Sequence, residues 1–432
     1  MVISPCLSVN EKGHLSISGC DTVELAERYG TPLYVMSEDG VRSVCRRYRS
    51  SFETYYHGNG KPIYASKAFC CKEICRIVTE DGLDLEVVSG GELYTALQAG
   101  VPAGNIHFQG NNKTIAELEF AVENNVGDIV VDNLSELYKL QKIAAKHGKT
   151  VPISLRIKPG IDAHTHEFIR TGQIDSKFGI DLTSGEALEI VRLASEMKEV
   201  SLHGLHCHIG SQIFDKEPFV HAAEVMLTFF AEIKEKLQVE LEFLNLGGGF
   251  GIHYTERDNA SPYEEYMAAV SDMVHKTCEK FGLTTPRIYI EPGRSIVGEA
   301  GITLYTVGNI REIPNVRSYV SIDGGMYENP RYALYHSDYT CLIANKADQP
   351  ADYIATVAGK CCESGDLIQE HTPIQHPQEG DILAVLSTGA YNYSMASNYN
   401  RNCRPACVMV SQGKSRIVIK GETFEDLVRN DI

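Results

Sequence analysis

Leu241-Glu242-Phe243-Leu244-Asn245-Leu246-Gly247-Gly248-Gly249-Phe250-Gly251 carries two signals in one short stretch. Its first half is mostly apolar and of strand length. Its second half is a glycine run that breaks the strand and bares successive backbone N–H groups, a nest suited to phosphate; a tight turn is the plainer reading. Other segments repeat the first signal. Strand-like runs at 62–66, 83–88, 105–109, 128–132, 153–157, 202–206, 241–247 and 287–291 alternate with helical spacing, clearest at 92–99, 114–123, 136–147, 185–195, 222–237 and 263–281. Short β-branched runs alternating with helices predict a parallel sheet, and eight is the number that closes a (β/α)8 barrel.

The texture changes after Gly293. Strand-like runs at 303–307, 319–322, 353–357, 382–386, 406–410 and 416–420 are separated by Pro, Gly, Asn and Asp, which predicts an antiparallel β domain. Near the other end, 14–18 alternates as a strand, and Asp21 or Thr22 starts a helix that runs through Tyr29 and stops at Gly30.

Composition narrows the function. The 432 residues hold 40 Lys plus Arg against 57 Asp plus Glu, a net charge of −17. That balance argues against general binding to nucleic acid or to anionic membranes, because both need a basic field. No run of 18 apolar residues suggests a membrane span. The 13 cysteines are odd in number and scattered, and the first ten residues do not look like a secretory signal. Reduced thiols in a cytoplasm are expected.

A barrel keeps its chemistry at the C-terminal ends of its strands. Read in order, those ends carry Lys67, Glu86, Asp132, Arg156, His206 with His208, the glycine run, and Glu291 followed by Gly293 and Arg294. Nothing in folding alone requires so many polar groups on one rim. A lysine directly after an apolar strand would point into the barrel mouth, where burial lowers its pKa and makes its amine available for Schiff-base chemistry; a surface lysine is the commoner reading of any single Lys. Glu291 suits a pyridine nitrogen, which a carboxylate keeps protonated, or serves as a simple ion-pair partner. Arg294 suits a substrate carboxylate or is a surface residue. His203, His206 and His208 offer a rival reading as zinc ligands, but no carboxylate or cysteine stands at a familiar ligand spacing, and no metal is expected.

Together these residues carry a resemblance. Tyr64-Ala65-Ser66-Lys67-Ala68, Val88-Ser89-Gly90-Gly91-Glu92-Leu93, Ser176-Lys177-Phe178-Gly179, His206-Cys207-His208-Ile209-Gly210-Ser211-Gln212, Gly247–Gly251 and Glu291-Pro292-Gly293-Arg294-Ser295 run in the order of the barrel-type (fold type III) pyridoxal-phosphate decarboxylases. Asp323-Gly324-Gly325-Met326, Asn329-Pro330-Arg331, Cys362-Glu363-Ser364-Gly365-Asp366 and Gly389-Ala390-Tyr391 continue the likeness, which covers nearly the whole chain. The resemblance implies a segment over 1–35 that completes the β domain, a barrel over 36–295 and a C-terminal β domain over 296–432. It implies pyridoxal 5′-phosphate as cofactor, anchored on Lys67, with His208 stacked on the ring and Glu291 at the pyridine nitrogen. Ser211, Gly247, Gly248, Gly249 and the backbone at Gly293 would hold the phosphate. Arg156, Glu86, Arg294 and Tyr391 would complete the cofactor's surroundings. Arg294, Arg331, Tyr335 and Tyr391 would bind substrate, Glu363 its distal ammonium, and Cys362 would donate a proton across the interface of a homodimer with shared active sites.

The implied reaction is decarboxylation of meso-2,6-diaminopimelate to L-lysine and CO2. Decarboxylases of ornithine, arginine, lysine or carboxynorspermidine on the same scaffold are the alternative. Glu363 beside Cys362 favours the first reading, because ornithine-type relatives usually have Asp there. Two departures stand out: the family more often has Asp at the position of Glu86 and Asn at that of Lys158.

Overall fold

The computed structural model describes residues 4–161 and 176–432. The chain divides into two compact units. One comprises Val44–Gly251 and Ala260–Gly293; the other comprises Met1–Ser43, Ile252–Asn259 and Arg294–Ile432.

In the first unit, eight strands among the described residues close a parallel ring. They are β1 (Gly60–Ala65), β2 (Asp84–Val87), β3 (Ile106–Phe108), β4 (Asp128–Val131), β5 (Val151–Lys158), β6 (Val200–His206), β7 (Phe243–Asn245) and β8 (Arg287–Ile290). Each pairs with the next in chain order, β4 pairs with β5 through Ile129 and Ile153, and β8 returns to β1. The eight runs expected from sequence are the eight barrel strands. A ninth short strand, Ile180–Asp181, adds to β5 outside the ring.

Local chemistry sets the helix boundaries. The Ser89 side chain accepts from Glu92 N and starts the helix Gly90–Gln98. Thr114 and Glu117 form a reciprocal capping box on Ile115–Glu123. Asn133 caps Leu134–His147, and Gly148 ends it in a left-handed conformation. Two long helical stretches lie outside those expected: Glu38–Tyr56 and Lys72–Glu80.

Polar residues enter the barrel at both ends. Toward the N-terminal end, His107 lies between Asp84 (3.7 Å) and Asp128 (3.5 Å), Lys61 pairs with Asp84, and Ser154 Oγ donates to Asp128 Oδ2 at 2.8 Å. Burial opposes the charge on His107, but Asp128 and Asp84 overcome it and push its pKa up to about 9.

The second unit is a mixed sheet. Gly301–Ile313 is its long strand, antiparallel to Leu33–Ser37, to Arg317–Ile322 and to Ile382–Val385. Most pairings are antiparallel as expected, but two are parallel: Leu33–Ser37 with Ala406–Ser411, and Arg317–Ile322 with Tyr353–Ala358. Both parallel pairs join strands far apart in sequence, so no hairpin dictates their direction. The N-terminal segment thus supplies an internal strand, and Leu33, Val35, Leu304, Val408 and Val410 share one core.

Candidate active site

Strand β1 runs into a single helical turn, Ser66–Ala68, that carries Lys67. Its Nζ lies 2.7 Å from Glu86 Oε1, and the two side chains are 38% and 1% exposed. The pair therefore joins a reachable amine to a fully buried carboxylate. Burial pushes the Glu86 carboxyl up to about 7; the Lys67 ammonium opposes this and the Glu291 charge adds to it. Glu86 Oε2 has no hydrogen-bond partner.

Glu291 follows β8 and is buried. It accepts hydrogen bonds from Asn245 Nδ2 (2.8 Å), from His206 Nε2 (3.2 Å) and from Gln109 Nε2. Three donors leave one of a carboxylate's roughly four acceptor positions open. Burial works against the Glu291 charge, but His206 and then Lys67 hold the carboxyl well below the usual range. Burial also lowers His206, against the pull of Glu291. A neutral imidazole that donates from Nε2 fits Glu291, with the Gln109 amide nitrogen 3.0 Å from the same atom but donating to Glu291, and the buried Nδ1 is without a partner.

The glycine run lies beside this cluster. Gly247 has φ +69°, a conformation side chains disfavour, and a Cβ there would press on His208. A Cβ on Gly248 would run into the carbonyl of Glu291, so only glycine lets the two backbones approach. Gly248 N donates to His208 Nδ1 at 3.2 Å. His208 is half-buried at the rim, and burial, then the charges of Lys67 and Arg156, push its pKa well below the usual value. Ser211 is half-buried in the same loop. Arg156 is buried, with its guanidinium 4.4 Å over the Phe178 ring, and Gly179 N donates to Asp132 Oδ1 at 3.0 Å. The Ser176–Gly179 motif thus packs on the end of β5.

The three histidines do not gather. His203 pairs with Glu242 at 3.0 Å, His206 faces Glu291, and His208 takes the Gly248 amide. Among the described residues no group of three His, Cys, Asp or Glu side chains forms a candidate metal set.

A second cluster belongs to the β unit. Arg294 and Arg331 are both buried, and both donate to the hydroxyl of Tyr254, Arg331 Nη1 at 2.7 Å. The Arg294 guanidinium also lies 4.7 Å over the ring of Tyr391. Tyr335 is half-buried at the end of the helix Arg331–Tyr335. Cys362 and Glu363 share an exposed turn instead. Buried Asp366 fixes that turn by accepting from Cys361 N (2.7 Å) and Met326 N (2.6 Å), and Cys362 N donates to Asn400 Oδ1 at 2.8 Å.

Sequence reasoning passed over Gln109, Asn245 and Tyr254. The first two are polar residues at the ends of apolar strands, a signal present in the sequence. Tyr254 follows the glycine run with no pattern to mark it.

A family described as the pyridoxal-binding domain of pyridoxal-dependent decarboxylases matches residues 39–298. Diaminopimelate decarboxylase of Bacillus methanolicus is 50% identical over 412 residues, covering 95% of this chain and 95% of that protein. The enzyme of the same name from Bacillus subtilis is 47% identical, covering 98% of this chain and 96% of that one. Among solved structures, diaminopimelate decarboxylase of M. jannaschii in complex with L-lysine superposes with a TM-score of 0.92 at 36% identity, covering 100% of this chain and 99% of that chain.

Proposed function

The chain belongs to the diaminopimelate decarboxylase family of pyridoxal-dependent decarboxylases, and on that premise we propose that it converts meso-2,6-diaminopimelate to L-lysine and CO2, the last step of lysine biosynthesis. One observation carries the reading: a reachable amine, Lys67 Nζ, is seated 2.7 Å from a buried carboxylate inside a ring of polar groups. L-lysine, the product of this reaction, occupies the M. jannaschii relative.

Pyridoxal 5′-phosphate is the cofactor, and the residues present fit it. Gly247 to Gly249 admit no side chain, because a Cβ at each would meet neighbouring protein atoms, so the run stays bare backbone, and Glu86 Oε2 and His206 Nδ1 are buried polar atoms without partners. When bound, the cofactor supplies an electron sink for the pair left by the broken Cα–carboxylate bond. Lys67 would hold it covalently. Ser211, Gly247, Gly248, Gly249 and Gly293 would hold its phosphate, with the amides of Gly247 and Gly248 exchanging their present acceptors, Asn245 Oδ1 and His208 Nδ1, for it. His208 would lie against its ring as a neutral imidazole, which adds no second positive charge beside Lys67. Glu291 keeps the ring nitrogen protonated because its carboxylate stays ionised despite burial. Arg156, Glu86, Arg294 and Tyr391 complete its surroundings.

The substrate's second amino-acid centre bears both a carboxylate and an ammonium. Arg294 and Arg331, with Tyr335 and Tyr391, bind the carboxylate, and Glu363 binds the ammonium. Cys362 Sγ gives the proton that takes the place of CO2 on Cα. Exposure of Cys362 and Glu363 in their own chain supports their serving a second subunit, in a homodimer with shared active sites. A proton-donating thiol must stay reduced, which supports a cytoplasmic enzyme. Among the described residues no helix is long and apolar enough to cross a membrane.

The test is CO2 release from a panel of amino acids by the purified holoenzyme. Diaminopimelate is expected to give product, and ornithine, arginine and lysine are not. Release from one of those three, with none from diaminopimelate, overturns the assignment.

A further inference from the structure

Tyr254 is buried, and its hydroxyl oxygen is the meeting point of two guanidiniums. Arg294 reaches it from the helix Arg294–Val297, and Arg331 from the helix Arg331–Tyr335. Both cations also lie near the face of its ring, at 5.8 and 5.1 Å. Two like charges converging in a buried place repel unless an electron-rich oxygen stands between them. The phenol oxygen accepts twice there, and among the described residues no acceptor takes its own proton. An arginine pair aimed at one point is the arrangement that receives a carboxylate.

We propose that Tyr254 is a specificity-determining, positioning residue: its phenol oxygen holds Arg294 and Arg331 converged on one point and shares or yields that point to the carboxylate of an α-amino acid. The inference rests on the decarboxylase reading and deepens it. The neutral phenol keeps the guanidiniums aligned and offers its O–H to the incoming carboxylate. The phenolate pairs with the guanidiniums itself and competes with that carboxylate.

The surroundings favour such a switch. Burial raises the Tyr254 pKa, but Arg294 and Arg331 outweigh it and bring it below the ordinary phenol value. The other groups facing Tyr254 are Tyr339, whose ring is 5.5 Å away and which burial pushes up to about 12, and Asp258, which accepts from its backbone N–H at 2.9 Å. Tyr391 stacks on Arg294. Tyr254 is therefore set to ionise before Tyr339. Its carboxylate affinity is highest below its own pKa and falls as pH rises through it.

The experiment compares wild-type holoenzyme with Tyr254→Phe. It measures KM for diaminopimelate and, by calorimetry, the affinity for L-lysine, from about pH 7 to about pH 10, the range in which a depressed phenol titrates. At the low end the variant is expected to bind at least about tenfold more weakly, the loss of one hydrogen bond to a charged group. Wild-type affinity then falls by up to about tenfold per pH unit beyond the Tyr254 pKa. The variant lacks that fall, so the curves cross. Deprotonation of the ligand ammonium affects both proteins alike and cancels in the comparison.

A measurement on wild type alone guards against misfolding of the variant. Saturating L-lysine must shift one tyrosinate absorbance transition to higher pH, because the coupling is reciprocal. Cadaverine, which lacks the carboxylate, must not. Crossing curves and the lysine-specific shift support the inference. Parallel curves, or a shift that cadaverine reproduces, overturn it while the decarboxylase reading stands. Wild-type protein that neither releases CO2 from diaminopimelate nor binds L-lysine overturns both.

Discussion

The two ends of the barrel hold charge in opposite ways. Toward the N-terminal end, Lys61, Asp84, His107, Asp128 and Ser154 bind one another, and two carboxylates flank one imidazole. At the C-terminal end, Lys67 stands over two buried carboxylates, Glu86 and Glu291, and polar atoms remain open at Glu86 Oε2 and His206 Nδ1. Strands of the same ring build both clusters. The first cluster leaves one buried atom, Asp128 Oδ1, without a partner, but each of its carboxylates is tied to a neighbouring strand; the second leaves its open atoms beside a reachable amine, with capacity for something that arrives later. This is the division expected of a barrel, with stability residing at one end and chemistry at the other.

Substitutions at the two ends test that division. The largest effect is expected from Lys67→Ala, which should abolish the visible absorbance of the bound cofactor and lower turnover on the order of 10³-fold or more. Its urea midpoint should stay close to that of wild type when both are stripped of cofactor. A large fall there would mean that the rim also fastens the barrel.

His107→Gln should do the reverse. The folded pKa of His107 is raised from 6.5 to about 9, so the stability it contributes is complete below about pH 6.5 and is lost as pH rises through about 9. Urea unfolding should show a loss of about 3 kcal/mol at the acid end of that window, shrinking toward the alkaline end. The kcat of the folded fraction should not change. A pH-independent loss would assign the effect to packing rather than charge.

The smallest effect is expected from Asn245→Ala. It removes one neutral donor from Glu291 and the acceptor that Gly247 N uses at 2.9 Å. A drop in kcat of about tenfold, with KM nearly constant, would place it in support of the rim charge. An unchanged kcat would show that Gln109 and His206 are sufficient.

The barrel was legible because its strands are apolar runs punctuated by polar ends, and every one of the eight appears at its expected place. The helix Glu38–Tyr56 was harder to read. Its buried face is Val41, Cys45, Tyr48, Phe52 and Tyr56, correctly spaced, but Cys and Tyr stand where Leu or Ile would announce a core. Lys72–Glu80 buries Cys75 among Ile74, Ile77 and Val78 for the same effect. The parallel pairings of the β unit left no trace in local pattern, because strand direction there is decided by partners far along the chain. Rim residues such as Lys67 and Glu291 could be singled out by position, while their roles came from the family resemblance. Tyr254 could not, since its significance comes from two arginines that sequence separates from it and from each other.

The internal strand Leu33–Ser37 has a consequence for how the molecule is made. It emerges early from the ribosome, yet its neighbours Gly301–Ile313 and Ala406–Ser411 are synthesised last. At about 5–20 residues per second the strand waits tens of seconds with both edges unpaired, while the barrel between them has time to fold as a unit. Birth order and spatial order are inverted in the β unit. A nascent chain stalled after the barrel would carry a folded domain and one strand with both edges bare.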